Sequence, residues 1–285
     1  MTVKLYPALL IDNFEHGSTR LWTETDSGNG TISMELHSGK YVKSGRNSLH
    51  MDMTTGSTQS GTLLVDHWFN MHYTTKDFSD YTHAAFWVYS ACTRNPPVLI
   101  HRFLNDATWS TWAYCSGLVT NGWGVATVAL PSARNNVEQF RLLIDETDYG
   151  SSEDVDLYID GICLIDNDNA FDLSNTDENI SEEDTYQVRE IPIAHGLKDT
   201  MDMGRHPRMF SVTGILPTTT TSALEREAQL EDLVLGGNEF YFHSDVFSGL
   251  VKIITYTSTV VAGAIDTVSY TLGLVEDFGS IHIVR

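Results

Sequence analysis

The sequence predicts an all-β (mainly) protein with two domains. Three observations lead to this prediction: many short strand-like runs between turn clusters, clean alternation of apolar and polar residues near the C-terminus, and a single segment with helical periodicity. Neither half alternates strands with helices, as a parallel α/β fold would. Residues 166–185 include eight acidic and no basic residues, so we predict an acidic linker there between domains at 1–165 and 186–285.

The N-terminal domain is predicted to be an antiparallel β-sandwich. Its strand-like runs are short and rich in aromatic residues, and turn-forming clusters separate them. The predicted strands are 31–36, 48–53, 61–68, 83–89, 97–104, 108–115, 124–130, 139–144 and 155–164.

The C-terminal domain begins with a predicted strand and the only predicted helix. The strand covers 208–216, and the helix covers 222–235. Ser222 and Glu225 have the spacing of a capping box at the start of the helix, and Gly236-Gly237 ends it. The apolar stripe expected to pack inward consists of Leu224, Ala228, Leu230, Val234 and Leu235.

A hairpin and a final strand complete this domain. The hairpin arms are predicted at 239–243 and 249–261, and apolar residues alternate cleanly from Val268 onward. The order strand, helix, hairpin, strand is that of a small β-barrel with one packed helix. The segment 199–207, before the first strand, is either an arm that reaches a neighbouring molecule or an ordinary surface loop.

Charge and composition exclude several classes of function. The net charge is −21, with 18 acidic and 10 basic residues in 1–165 and 12 and 7 in 186–285, so no part offers a basic surface for nucleic acid. This excess of acid also fits a halophilic source, or simply an acidic mesophilic protein. No run approaches the ~18 apolar residues of a membrane helix, and the N-terminus lacks a convincing signal peptide.

Four motifs in order give the N-terminal domain a family resemblance. They are Asp12–Gly17 followed by Trp22, Ser44–Leu49, Gly122–Pro131 and Leu157–Ile165. Together they resemble a jelly-roll carbohydrate-binding module of the kind appended to glycoside hydrolases. The resemblance implies a jelly-roll β-sandwich.

The same resemblance implies a structural calcium ion. Glu15 and Asp160 match the early and late acidic ligands, and backbone carbonyls near Gly17 and Asn47 would supplement them, because Ca²⁺ takes six to eight oxygens. The alternative is that Glu15 caps a turn and Asp160 is a charge on an edge strand.

A glycan site would use flat aromatic rings beside planar polar groups. Trp22 and Trp123 match core tryptophans of the family and are left out. The alternation of strand side chains places Trp87 with Tyr89, and Trp112 with Tyr114. The alternative is that these aromatic side chains fill the core. The candidates are Trp68, Trp87, Tyr89, Trp109, Trp112, Tyr114, His101, Arg102 and Arg141.

The C-terminal domain resembles the barrel module of tailed-virus tail proteins, the distal-tail and baseplate-hub group. This resemblance implies a virion protein that assembles as a ring of copies, with the tail tube and hub as partners. The N-terminal domain would then contact host-surface glycans or brace the ring. The alternatives are a secreted glycan-binding module or accessory domain of a glycan-degrading system, and a tail protein that binds no sugar.

Catalytic motifs are absent from the sequence, so we predict that the protein is not an enzyme. There is no G-x-S-x-G elbow, no H-E-x-x-H and no P-loop. The carboxylates of 145–148 and 153–156 could form a glycosidase pair, but a solvated acidic loop is favoured there. Three widely spaced cysteines indicate neither a disulfide framework nor a zinc site.

Overall fold

A computed structural model describes most of the chain and shows a mainly β protein, which confirms the predicted fold class. The described residues are 3–15, 18–19, 21–69, 75–92, 97–173, 181–183, 186–192, 198–205, 207–216, 218, 221–236, 239–244, 247–261 and 266–277. They form two compact units: residues 9–168, and residues 169–277 together with 3–8.

The unit formed by 9–168 is a sandwich of two antiparallel sheets. Strand β1 (Lys4–Asp12) is shared between the two units. The strands that follow it in chain order are β2 (Trp22–Ser27), β3 (Thr31–Ser38), β4 (Asn47–Thr54), β5 (Thr62–Trp68), β6 (His83–Ala91), β7 (Ile100–Asn105), β8 (Thr108–Trp109), β9 (Ala113–Tyr114), β10 (Gly122–Ala129), β11 (Val137–Asp145) and β12 (Asp154–Ile165). Sheet I has the order β3-β4-β12-β6-β10. Sheet II has the order β2-β5-β11-β7, and β8 and β9 both pair with the outer edge of β7.

The core of the sandwich lies between the two sheets and follows strict alternation. In β11, Phe140, Leu142 and Ile144 are buried in the core cluster, whereas Arg141 and Leu143 point to the opposite face. Because register is set by which face is apolar, a slip of one residue would expose the whole set. The outer face of sheet II is therefore a defined surface.

The second unit has one antiparallel sheet, a separate two-stranded ribbon and one helix. Its elements are β13 (Phe171–Asp172), β14 (Ser181–Glu183), β15 (Tyr186–Pro192), β16 (Lys198–Arg205), β17 (Met209–Leu216), α1 (Ala223–Leu235), β18 (Phe240–His243), β19 (Ser248–Val260) and β20 (Val268–Glu276). The sheet order is β1-β18-β19-β20-β17-β14, β13 pairs with β1, and β15 pairs with β16 alone. No pairing among the described residues closes this sheet, so a barrel stays a prediction.

Three segments differ from the sequence predictions. Residues 4–7 pair with 240–243 of the second unit, although the predicted N-terminal domain began at residue 1. The predicted linker at 166–185 contains β13 and β14, which add to the sheet of the second unit. Most of the predicted loop 199–207 is strand β16. Backbone pairing explains these differences, and composition does not predict it: residues 4–7 and β13 pair with segments distant in sequence, whereas β16 pairs with its neighbour β15.

The helix begins as predicted and packs part of the predicted stripe against the sheet. Ser222 Oγ accepts from Glu225 N at 3.2 Å, and Glu225 Oε2 accepts from Ser222 N at 3.0 Å, which completes the capping box. The buried side chains are Ala223 and Leu230, whereas Leu224 is 53% and Leu235 76% exposed and Ala228 is exposed too. The packed stripe consists of Ala223, Leu230, Leu233 and Val234, so Leu230 and Val234 pack as predicted, whereas Leu224, Ala228 and Leu235 do not.

Candidate functional site

The outer face of sheet II brings polar and aromatic side chains into three parallel rows. Directly opposed residues of antiparallel strands share a face, so the register defines each row. The charged row joins Asp66, Arg141 and Arg102 across β5, β11 and β7, with Thr23 beside Asp66. We call this surface the sheet II face.

Each of the other two rows of the sheet II face has an aromatic side chain at one or both of its ends. One row runs Trp68, Gln139, Leu104 and Trp109. The other row runs Leu64, Leu143, Ile100 and Tyr114. Trp68 and Trp109 lie three strands apart, which is about 14 Å at the usual strand spacing.

The charged row is tightly organised. Arg141 donates from Nε to Asp66 Oδ1 at 2.6 Å and from Nη2 to Oδ2 at 2.7 Å, which is a bidentate ion pair. Its guanidinium carbon lies 3.7 Å from the centroid of the Trp109 ring, and that of Arg102 lies 5.3 Å away. Arg102 Nε donates to Ser110 O at 3.0 Å. Burial, and then the Arg141 charge, lower the pKa of Arg102.

The three aromatic side chains on this face differ in exposure. Tyr114 is 60% exposed, whereas Trp68 and Trp109 are half-buried. Trp68 Nε1 donates to Thr23 Oγ1 at 3.2 Å, which orients its ring. Leu64, Ile100 and Leu143 form a small apolar cluster on the same face. The face thus combines flat apolar surface with oriented polar groups.

Trp112, another predicted candidate, lies in the turn between β8 and β9 and is 40% exposed. Because it is outside both strands, the alternation rule that predicted a face shared with Tyr114 does not apply to it. It lies two positions before Tyr114 in the sequence, and its ring stays a candidate for glycan contact.

Trp87 and Tyr89 lie on the other side of the sandwich, on the outer face of sheet I. Trp123 is the register partner of Tyr89 and its ring lies 5.7 Å from the Tyr89 ring. The expectation that Trp123 is a core residue is therefore wrong, because it is partly exposed on this face. Trp22 is buried in the core as expected, and its Nε1 donates to Asp12 Oδ2 at 2.8 Å.

His101 is not available to a ligand. It is fully buried, with its ring 4.7 Å from Phe103 and 4.6 Å from Phe140, and burial lowers its pKa to about 3. Alternation in β7 sends His101 inward and Arg102 outward. The same rule identifies two residues that the sequence reading missed, Asp66 and Gln139, because each lies two positions from a predicted candidate on its strand.

The residues predicted to hold calcium have other partners. Glu15 Oε1 accepts from Arg46 N at 2.7 Å and from Asn47 N at 2.9 Å. Asp160 Oδ2 accepts from Lys43 N and Ser44 N, both at 2.8 Å. Gly17 lies outside the described residues. N–H groups aimed at a carboxylate oxygen repel a cation there, so these oxygens do not fit a calcium cage.

The predicted carboxylate pairs also have structural partners. Glu146 is fully buried and accepts from Gly30 N and Gly56 N at 3.2 and 3.3 Å. Asp156 Oδ1 lies 2.8 Å from His50 Nε2, and Asp154 accepts from Thr54. In the described part of the chain, no three His, Cys, Asp or Glu side chains group as a metal site, and no helix has the length and apolarity to span a membrane.

No family model matches this chain, and no curated protein matches it. Among solved structures, it is similar to the family 11 carbohydrate-binding module of the cellulosomal cellulase Lic26A-Cel5E of Clostridium thermocellum, with 13% identity and a TM-score of 0.41 over 56% of this chain and 94% of that one. It is also similar to a family 28 carbohydrate-binding module specific for non-crystalline cellulose, with 11% identity and a TM-score of 0.37 over 55% and 93%.

A third similar structure is the β-1,2-glucanase from Parabacteroides distasonis, with 12% identity and a TM-score of 0.42 over 73% of this chain and 36% of that one. The similarity to the two binding modules covers about half of the chain and concerns the fold alone. The resemblance to viral tail proteins finds no support in these comparisons.

Proposed function

We propose that the sheet II face binds a glycan chain. The observation that carries this proposal is that Trp68, Trp109 and Tyr114, from three different strands, share one face with the row Asp66, Arg141 and Arg102. Aromatic rings offer flat apolar surface to the C–H faces of sugar rings, and planar polar groups bond the hydroxyls at their edges.

Preorganisation of the polar groups favours binding. Arg141 is held by the two hydrogen bonds that it donates to Asp66 and by the Trp109 ring, and Trp68 is held by the hydrogen bond that it donates to Thr23. A side chain that is already ordered loses little conformational entropy when a ligand arrives, so more of the contact free energy appears as affinity.

We infer binding without cleavage. Glycoside hydrolysis needs two carboxyl groups that flank the scissile bond. On the described part of this face, the charge of Asp66 is neutralised by Arg141. Asp145, which lies two positions after Leu143 on β11, accepts a hydrogen bond from Thr147 N at the start of a 3₁₀ turn. These carboxylates have structural partners and do not converge as an acid and a base.

The test is retardation of the full chain in native gels that contain one polysaccharide each. The panel consists of mixed-linkage β-glucan, xylan, mannan, galactan, alginate, polygalacturonate and carrageenan. We expect retardation by at least one polymer, and we expect Tyr114→Ala to weaken that binding at least tenfold, or about 1.4 kcal/mol. Tyr114 is largely exposed, so its loss has little effect on stability.

The matched control is Trp87→Leu, which removes an aromatic ring from the outer face of sheet I. It should leave retardation unchanged if the sheet II face is the site. Equal losses in both variants would place the binding elsewhere, and no retardation by any polymer would overturn the proposed function.

The assembly role is a separate prediction. A ring of copies at a tail tip would present many weak glycan sites together, and multiplicity would raise avidity well above the affinity of one site. Only the sequence resemblance supports the ring, the tail tube and hub as partners, and the virion localisation. A secreted glycan-binding module needs only the sheet II face.

A further inference from the structure

The charged row of the sheet II face contains two cations and one anion. Asp66 forms a bidentate pair with Arg141. Among the described residues, Arg102 has no carboxylate partner: its Nε donates to Ser110 O, and the charge that shifts its pKa is that of Arg141. One positive charge is therefore left uncompensated in a protein whose net charge is −21.

Holding these two arginines together costs free energy. Arg141 and Arg102 are directly opposed on neighbouring strands, where Cβ atoms lie about 5 Å apart and like charges are destabilising. The Trp109 ring lies near both guanidinium groups but is more than 1 Å farther from Arg102, at 5.3 Å against 3.7 Å. It thus compensates Arg102 less than Arg141. Arg141 alone would suffice to hold the Trp109 ring, so packing against Trp109 does not explain the second arginine.

Arg102 also keeps hydrogen-bonding capacity. Its Nε is used, while its Nη1 and Nη2 donate to none of the described residues. A guanidinium that has its terminal N–H groups available and provides the net positive charge of its row matches a carboxylate or a sulfate group, which accepts two parallel hydrogen bonds. Tyr114 and Trp109 flank Arg102 on the rows at either side, so an anionic group there would belong to a sugar stacked on them.

We propose that the glycan bound by this face is anionic, and that Arg102 binds its carboxylate or sulfate group. The inference rests on the proposed function and adds the ligand class. Arg141 would not bind the anionic group itself, because its guanidinium is paired with Asp66, and that pair leaves the net positive charge of the row on Arg102.

The experiment measures affinity for matched pairs of polymers that differ only in charge. Alginate and polygalacturonate are compared with their carboxyl-reduced forms, and carrageenan with its desulfated form, so that the two anionic groups are distinguished. We expect the full chain to bind at least one charged polymer at least tenfold more tightly than its neutral counterpart. Raising the salt concentration should weaken only the charged member of that pair.

Two variants separate a specific site from general charge attraction. Arg102→Gln removes the charge and keeps a planar polar group, and it should abolish the preference while leaving the melting temperature unchanged or higher. Lys40→Gln changes the net charge equally at an exposed residue of 9–168 outside the sheet II strands, and it should keep the preference. Loss of the preference in both variants would overturn the inference.

The remaining outcomes distinguish this inference from the proposed function. Neutral polymers that bind as tightly as their charged partners would overturn the anionic ligand and leave glycan binding in place. If no polymer of either kind binds, the proposed function and this inference both fall. A preference that survives in Arg102→Gln would place the anionic group away from Arg102.

Discussion

His101 and Arg102 are consecutive residues of β7, yet they have opposite roles. His101 is sealed between Phe103 and Phe140 in the core, and Arg102 lies on the sheet II face. Alternation alone predicts that neighbours in a strand diverge, but it leaves open which of the two faces is apolar until the opposite strands are known. The sequence reading therefore placed both residues in the glycan site, and only one lies there.

The buried His101 makes stability depend on pH. Its folded pKa of about 3 lies below the ordinary value near 6.5, so the unfolded chain binds a proton that the folded chain does not. The stabilisation is complete above about pH 6.5 and falls as the pH drops toward 3. In His101→Leu this contribution is absent, so relative to wild type the variant should gain about 2 kcal/mol between pH 7 and pH 5.

Urea unfolding of both proteins at the two pH values measures this difference. Carboxylates titrate equally in wild type and variant, so the change in their difference isolates the histidine. A difference in unfolding free energy that does not vary with pH would show that His101 titrates normally.

The loop between β3 and β4 is an element in which side chains from distant strands fix the backbone. The Tyr41 ring stacks on Tyr158 at 4.4 Å, and the ammonium of Lys43 lies 4.3 Å from the Trp87 ring centroid, so the loop covers part of the outer face of sheet I. At Gly45, φ is +68°, and an added Cβ would come within 2.5 Å of Glu15 Oε1. Glycine is needed there for the carboxylate to reach the amides.

We expect Asp160→Ala to destabilise this unit without any role for calcium. The substitution removes an acceptor shared by Lys43 N and Ser44 N, and two hydrogen bonds to a charged group contribute about 3 kcal/mol in total. Asp154→Ala is the control, because Asp154 is exposed and accepts only from Thr54 Oγ1 among the contacts given by the structure.

Thermal unfolding measures both effects. The melting temperature of the wild-type chain should be the same in EDTA and in millimolar CaCl₂. A rise with calcium that Asp160→Ala abolishes would show that the calcium site implied by the sequence resemblance is present.

At the scale of the whole molecule, the distribution of charge is the main constraint. The acidic excess is spread over both domains and the segment between them, so copies repel one another at low ionic strength and screening weakens that repulsion. If a ring forms, as the tail resemblance implies, it is favoured by salt.

Light scattering of the full chain in molar and in low salt checks this prediction. We expect a mass of several chains of 31.8 kDa each in molar salt and a smaller mass in low salt. A mass of one chain in both conditions would contradict self-assembly in isolation and favour a monomeric glycan-binding module.

The sequence by itself determined the features that depend on neighbouring residues. It predicted the β class from alternation, most strands of the sandwich, and the Ser222–Glu225 capping box, because each is set within a few residues along the chain. Five of the nine glycan candidates in the sequence prediction lie on the sheet II face: Trp68, Arg102, Trp109, Tyr114 and Arg141.

Only the tertiary structure decided which strands are neighbours. Asp66, Arg141 and Arg102 form one row because β11 lies between β5 and β7, and residues 4–7 join a strand more than two hundred positions away. Such pairings depend on how whole faces pack. Packing likewise determines which side chains of α1 are buried. Local patterns specify that a strand or helix forms, and packing specifies what each of its faces meets.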